Sequence, residues 1–157
     1  MSSQAQRTRV SSTRIRQALQ QSDFELAEQL LGKPYGISGR VVIGQQLGRT
    51  LQVPTANLKL HRIRTALSGV YAVEVRGADT GLVYGVANVG TRPTVGDLTE
   101  AILEVHLLDF DRDIYGKNIE VIFRKKIRDE KKFSSLDELK ANIHSDIAQG
   151  RMHFKLP

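Results

Sequence analysis

Residues 70–89 read VYAVEVRGADTGLVYGVANV, and this stretch indicates the fold more directly than any other part of the chain. Two runs rich in Val and Tyr, Val70–Arg76 and Leu82–Val89, flank a short connection that contains Gly, Asp and Thr. Such runs, separated by turn residues, are typical of β-strands. A connection this short, with no helix in it, favours antiparallel pairing.

Four further segments have the same composition and predict more strands of this kind. They follow one another without long helical patterns between them, and turn residues separate most of them. About six such strands favour a closed antiparallel barrel. The four segments are Ile37–Ile43, Ala56–Leu60, Ile102–Asp109 and Asn118–Ile127.

Helical patterns lie on both sides of the strands. A first short helix begins near Ser12, and a second opens at the capping-box pattern of Ser22 and Glu25. Gly32 and Pro34 are expected to end the second helix. A last helix is expected between Ser135, where Glu138 again completes a capping pattern, and Gly150; its apolar stripe is Leu136, Leu139, Ile143 and Ile147.

The predicted organisation is therefore mainly β, with one domain. We expect a disordered basic tail over residues 1–10 and a short helical lead-in over residues 11–34. Residues 35–157 should form a six-stranded antiparallel closed β-barrel followed by a C-terminal helix. The pattern shows no internal repeat and no second domain.

Composition narrows the class of protein. The 157 residues carry a formal net charge of +6 and no Cys, which is compatible with a reducing cytoplasm. No apolar run is long enough to cross a membrane. The four His residues show no zinc-site spacing, and the absence of Trp among few aromatics argues against nucleic acid as a partner.

Residues 44–57, GQQLGRTLQVPTAN, combine features of a phosphate-binding loop. Gly44 and Gly48 allow close approach of the backbone to a ligand, and Arg49 is a forked donor suited to phosphate. Thr55 and Asn57 are two residues apart, so on a strand both point to one face. Their oxygens suit magnesium held mainly by substrate phosphates. The alternative is an ordinary turn between two strands.

Glu104 is the candidate general base. Period-two alternation over residues 102–109 places Glu104 and His106 on one face and predicts that Leu103, Val105 and Leu107 take the core face. A carboxylate on a rigid strand suits proton removal from a substrate hydroxyl, and apolar neighbours would raise its pKa. The alternative is that Glu104 is simply the solvent-side residue of an alternating strand.

Eight short motifs occur in order along nearly the whole chain: SSTRIR at 11–16, LLGKPY at 30–35, GRVV at 39–42, PTAN at 54–57, GVYA at 69–72, GTRPT at 90–94, LEVH at 103–106 and RDEKKF at 128–133. Together they resemble the riboflavin kinase (flavokinase) family, and in particular the C-terminal kinase half of the bacterial bifunctional riboflavin kinase/FAD synthetase. The resemblance implies a six-stranded barrel that transfers the γ-phosphate of ATP to the 5′-hydroxyl of riboflavin, giving FMN and ADP.

The resemblance also implies roles for single residues. Thr55 and Asn57 would hold Mg²⁺ and the ATP phosphates, and Glu104 would take the proton from the riboflavin hydroxyl. Residues 44–53 would form a flap over the phosphates, residues 90–96 a second nucleotide-side element, and the start of the RDEKKF motif would lie near the flavin. The further binding residues that it implies are Gly44, Gly48, Arg49, Val53, Pro54, Asn88, Gly90, Thr91, Arg92, Arg128 and Asp129.

Two features depart from the family pattern. Gln52 stands where the family usually has Gly, which would weaken ATP binding more than the reaction. The SSTRIR motif resembles the end of the adenylyltransferase half, yet no nucleotide-binding sheet precedes it. The chain is therefore expected to be a truncation, an isolated domain or a kinase-only relative that does not make FAD. A flavin- or nucleotide-binding module without catalysis is the alternative function.

Overall fold

A computed structural model describes residues 13–42, 55–59, 67–79, 81–93, 99–110 and 112–156 of the chain. Six strands form its centre: β1 Gly36–Val42, β2 Thr55–Lys59, β3 Gly69–Arg76, β4 Val83–Pro93, β5 Thr99–Leu107 and β6 Asn118–Arg128. All pairs are antiparallel, and the strands close into a barrel in the order β1-β2-β5-β4-β3-β6. The predicted six-stranded closed barrel is confirmed.

The β4–β5 hairpin is longer than the alternation predicts. Gly90 and Thr91, which lie beyond the predicted strand Leu82–Val89, continue β4 and pair with Ile102 and Ala101 of β5. The ladder ends where Pro93 faces Thr99. Because ladder hydrogen bonds use only backbone groups, a polar Gly-containing segment extends a strand whenever its neighbour supplies partners.

Two helices precede the barrel. Helix α1 covers residues 13–20, and α2 covers Phe24–Leu31 and ends at Gly32, which takes the left-handed conformation with φ of 79°. The predicted capping box at Ser22 and Glu25 is wrong, since the N-cap is Asp23 and its carboxylate accepts from the Leu26 backbone N–H at 3.1 Å. Ser22 instead has φ of 58° in the tight turn that joins the two helices.

The last helix, α3, covers Leu136–His153. Its predicted start is confirmed, because the Ser135 hydroxyl accepts from the Glu138 backbone N–H at 3.1 Å. Its predicted end at Gly150 is wrong. Gly150 is buried against the barrel, and a Cβ added there would lie 2.6 Å from Cγ2 of Val86. Gly150 lets the helix approach β4 closely, and it does not end the helix.

The inside of the barrel is filled by apolar side chains. Leu103 and Val105 of β5 are fully buried there, as the alternation predicts. The Tyr71 and Phe123 rings meet edge-on, with centroids 5.4 Å apart, and Phe24 of α2 packs against both. Aromatic pairs in this geometry add to the stabilisation that comes from burial alone.

Helix α3 covers part of the outer surface of the barrel. Val70, Val86 and Ile143 are buried between strands and helix and are not part of the inner core. The ring of Phe154, just past the helix, lies 4.3 Å from that of Tyr84 on β4. Within the described residues, no helix is both long and apolar enough to cross a membrane. The helix creates a second buried layer on the outside of the barrel.

Replacing Gly150 by Ala should destabilise the protein. Overpacking of this kind typically costs about 1–3 kcal/mol, whereas the better helix propensity of Ala recovers about 1 kcal/mol. Urea denaturation would measure the free energy of unfolding. In a Val86→Ala background, which removes the clashing methyl groups, the same Gly150→Ala change should stabilise. Equal effects in both backgrounds would contradict this account.

Candidate functional site

The strand register brings three polar side chains of three different strands side by side. Glu104 of β5 pairs directly with Asn57 of β2 on one side and with Asn88 of β4 on the other. Directly opposed residues point to the same face with Cβ atoms about 5 Å apart. Since their strand neighbours Ala56 and Val105 face the inner core, this polar row lies on the outer face of the barrel.

A small pocket of about 60 Å³ lies between the strands and α3, over the Glu104 and Asn88 end of this row; Asn57 and Thr55 of β2 are not among its lining residues. The helix and the segment before it supply its far wall, so the outer face of the barrel is partly covered here: His106 is buried, Glu104 is half-buried and Asn88 stays exposed. Its polar lining is Asn88, Glu104, His106, Arg128 and Asp146, and its apolar lining is Val70, Val86, Phe133, Leu139 and Ile143.

Glu104 is half-buried in this pocket. Burial raises the pKa of its carboxyl above the usual value of 4.5, because desolvation disfavours the charged form. The sequence-based expectation of a raised pKa is thus confirmed in direction. The alternative, a carboxylate on an open solvated face, does not describe this environment.

His106 lies one step along the same face and is only 7% exposed. Burial lowers the pKa of its imidazole to about 4, although the negative charge of Asp146 opposes the shift. The imidazole is therefore neutral near pH 7. Its Nδ1 atom is 3.1 Å from Oγ1 of Thr55, the residue that pairs with it across the sheet.

Arg128 and Asp146 form a bidentate ion pair that joins the end of β6 to α3. Nε and one terminal nitrogen of Arg128 donate to the two carboxylate oxygens, each at 2.8 Å. Asp146 is only 4% exposed. The guanidinium also lies 5.5 Å from the centroid of the Phe133 ring, within cation–π range. The pair and the ring together hold one wall of the pocket.

The sequence analysis did not identify Asp146, and it placed His106 beside Glu104 without giving it a role. A signal for Asp146 was present, because it lies three residues after Ile143 and so falls on the apolar stripe of α3. A carboxylate on a core-facing stripe requires a buried basic partner. Nothing local to β5 indicated that the outer face would be covered.

Several predicted site residues are not part of this pocket as described. Gly44, Gly48, Arg49, Val53 and Pro54 lie outside the described residues, as do Gln52 and the tail over residues 1–10. For Thr91 and Arg92 the structure describes the backbone, which belongs to β4. The roles of these residues stay predictions.

Two predicted residues close to the pocket have contacts of their own. Asp129 is exposed and forms an ion pair with Lys126, so it does not line the pocket. Gly90 lies against the Glu130 carboxylate, since a Cβ added there would be 2.5 Å from Oε1. The side chain of Glu130, in the segment after β6, therefore lies against this part of β4.

The donor set of the polar row fits magnesium. Among the described residues there is no group of three or more His, Cys, Asp and Glu side chains that could hold a metal ion by themselves. Thr55 and Asn57 instead offer a hydroxyl and an amide oxygen on one face of β2, next to Glu104 on β5. Mg²⁺ is usually bound by one or two protein oxygens, and substrate phosphates and water complete its coordination.

The family model for riboflavin kinase, or flavokinase, matches residues 31–154. This chain belongs to the riboflavin kinase family. The match includes all six strands and α3, and thus the polar row, the pocket and the Arg128–Asp146 pair. The family resemblance inferred from the motifs is confirmed.

Curated relatives agree with the family. The bifunctional riboflavin kinase/FMN adenylyltransferase of Escherichia coli K12 is 55% identical over 148 residues, which are 94% of this chain and 47% of the relative. The protein of the same name from Haemophilus influenzae is 52% identical over 146 residues, 93% of this chain and 47% of the relative. The riboflavin kinase domain described here spans about half the length of these relatives.

Solved structures share the fold. The riboflavin kinase of Trypanosoma brucei superposes with a TM-score of 0.53 at 26% identity, covering 79% of this chain and 82% of that one. A crystal structure from Streptococcus pneumoniae, described as a macrolide-efflux protein, gives a TM-score of 0.78 at 40% identity over 89% of this chain and 46% of that one. The family model and the curated relatives decide the family, since they agree on riboflavin kinase.

Replacing Asp146 by Ala should destabilise the kinase domain by about 3 kcal/mol, because it leaves a largely buried guanidinium without its partner. The value is at the low end of the usual range since the Arg128 side chain keeps 22% exposure. Asp129→Ala is the matched control, as it removes an exposed ion pair and should change stability little. Urea denaturation compares the two, and equal losses would contradict the assigned role of Asp146.

Glu104→Gln should stabilise the folded protein at neutral pH. The folded state raises the carboxyl pKa, so above pH 4.5 it holds a proton that the unfolded chain has released, and stability falls as pH rises through the folded pKa. Gln is uncharged, so the free-energy cost of burying a carboxylate is absent in the variant. The variant and the parent should therefore differ least at acidic pH and most at pH 7–8 in urea denaturation. Glu120→Gln on β6 is the control, and a gain independent of pH would contradict the prediction.

Proposed function

We propose that this chain transfers the γ-phosphate of ATP to the 5′-hydroxyl of riboflavin, giving FMN and ADP. The observation that carries the proposal is the register of β2, β5 and β4, which places Glu104 between Asn57 and Asn88 in a desolvating pocket. The identity of the two substrates is inferred from membership in the riboflavin kinase family.

Glu104 acts as the general base. Its carboxylate is fixed on a strand that is hydrogen-bonded on both sides, so little reorganisation is needed when the substrate hydroxyl arrives. Desolvation makes it a stronger base than a solvated glutamate and brings its pKa nearer to the operating pH. It accepts the proton of the riboflavin 5′-hydroxyl as the oxygen attacks the phosphoryl group.

Thr55 and Asn57 hold the metal–phosphate end of the site through their side-chain oxygens. A bound Mg²⁺ would neutralise charge on the transferring phosphoryl group, which suits a reaction that depends mostly on alignment and electrostatics. Asn88, at the other end of the polar row, is a donor to the nucleotide. The further nucleotide contacts are Gly44, Gly48, Arg49, Val53 and Pro54 of the flap and Gly90, Thr91 and Arg92 of β4.

The flavin lies on the side of Arg128. The guanidinium is held by Asp146 and packed on Phe133, so it presents a rigid planar surface at the rim of the pocket. Asp129 follows it on the exposed side. The reaction takes place in the cytoplasm, and the product FMN is the substrate that an FMN adenylyltransferase domain, present by name in the curated relatives, would use.

Glu104→Gln should lower kcat for FMN formation from riboflavin and MgATP by about 10²–10⁴-fold, the usual contribution of a general base. Glu120→Gln, which changes a carboxylate far along β6, should retain the activity of the parent. An active Glu104→Gln variant would refute the assignment of the base. Binding of riboflavin and ADP by the parent without turnover would favour the catalytically inactive binding module instead.

A further inference from the structure

One row of paired residues crosses the outer face of the barrel from Glu104 to Arg128. Arg128 of β6 pairs with Val70 of β3, which pairs with Asn88 of β4. Asn88 in turn pairs with Glu104 of β5. Neighbouring strands lie about 4.8 Å apart, so the Cα atoms of Arg128 and Glu104 are within about 14 Å. All four residues line the same pocket, so the long Arg128 side chain and the base share one cavity.

The charge of Arg128 matters for which ligand this pocket binds. Among the described residues that line the pocket, Arg128 is the one with a permanent positive charge. A guanidinium is a strong binder of phosphate, because its planar fork matches two phosphate oxygens. On its own, Arg128 would therefore favour a phosphorylated ligand over an uncharged one.

Asp146 compensates this charge. Its two carboxylate oxygens accept from Nε and one terminal nitrogen of Arg128 at 2.8 Å, and the other terminal nitrogen donates to the backbone carbonyl of Asp129 at 3.1 Å. Each guanidinium nitrogen thus has an acceptor that the protein itself supplies. Asp146 is only 4% exposed, so salt and water screen the pair little. Together, Arg128, Asp146 and the Glu104 carboxyl contribute no net positive charge to the pocket.

The reaction changes the charge of the flavin inside this pocket. Riboflavin enters with an uncharged 5′-hydroxyl, and FMN carries a phosphate with about 1.5–2 negative charges at pH 7. The new phosphate forms beside Glu104, where the substrate hydroxyl meets the base. After MgADP has left, the carboxyl group beside this phosphate does not attract it, and the compensated guanidinium attracts it weakly.

We propose that Asp146 determines which flavin the pocket retains: by compensating Arg128 it lets uncharged riboflavin bind and prevents FMN from being held after transfer. This rests on the proposed function, in which riboflavin is the substrate and its 5′-hydroxyl meets Glu104. Asp146 acts through Arg128, so it is a positioning residue in this role and not a catalytic one.

The test changes one charge at a time and measures Kd for riboflavin and for FMN by flavin fluorescence titration. Asp146→Asn keeps the side-chain shape and leaves the guanidinium uncompensated. FMN binding should then tighten relative to riboflavin binding by about 10-fold, as expected for one charge acting across a partly desolvated pocket. Arg128→Gln leaves the carboxylate uncompensated and should shift the same ratio by a similar factor in the opposite direction.

Opposite signs distinguish charge from structural damage. Riboflavin is the internal reference, because a damaged pocket would weaken the binding of both flavins. Unchanged ratios, or shifts in the same direction, would overturn the proposal. If Asp146→Asn does not fold, the sign of the shift in Arg128→Gln still decides.

The double variant Arg128→Gln/Asp146→Asn is the matched comparison. It lacks the same carboxylate as the single Asp146→Asn variant but is neutral again, so its ratio should return to that of the parent. A double variant that keeps the shift of Asp146→Asn would overturn the proposal. Asp109→Asn is the control, because it breaks an exposed Asp–Arg pair outside the pocket and should leave the ratio unchanged.

The electrostatic origin has its own check, since the shift in Asp146→Asn should shrink as ionic strength rises. A shift that does not depend on salt would contradict the proposal. None of these measurements requires turnover. A parent that binds both flavins yet forms no FMN would refute the proposed function and leave the comparison of binding intact, so the two failures are distinguishable.

Discussion

The environment of the site depends on one ion pair, Arg128 with Asp146. It joins the end of β6 to α3, and the helix in turn lies over the outer face of β3 and β4 and forms a wall of the pocket that contains Glu104 and His106. A barrel without this cover would leave Glu104 and His106 in water, with pKa values near those of free side chains. By holding the helix in place, the pair helps to exclude water from Glu104 and His106, in addition to the direct effect of the Asp146 charge on His106.

The inner core and the site use opposite faces of the same strands. On β5, Leu103 and Val105 fill the interior while Glu104 and His106 point outward. The interior of a six-stranded barrel leaves no room for a ligand once apolar side chains occupy it. Function is consequently confined to the outer surface, and the alternation of the strand separates the residues for folding from those for chemistry.

Much of the fold could be predicted because its signals are local. Period-two alternation on β5 identifies its core face, and the turn residues between strands indicate antiparallel pairing. The alignment of Glu104 with Asn57 and Asn88 is different, since register depends on the whole barrel. The roles of Asp146 and Gly150 depend on where α3 docks, and helix propensity contains no information on docking. The expectation that Thr55 and Glu104 belong to one site came from the family resemblance, because no local sequence pattern relates residues so far apart along the chain.

The closure of the barrel has a consequence for how the chain is made. The last strand, β6, pairs with both β1 and β3, and the contacts that it forms span most of the domain. Until Arg128 has left the ribosome, two strands have exposed hydrogen-bonding edges, and such edges are templates for aggregation. Long-range pairing of this kind is also slow. Among the described strands β6 is the last to be synthesised, and the barrel stays open until β6 pairs with β1 and β3.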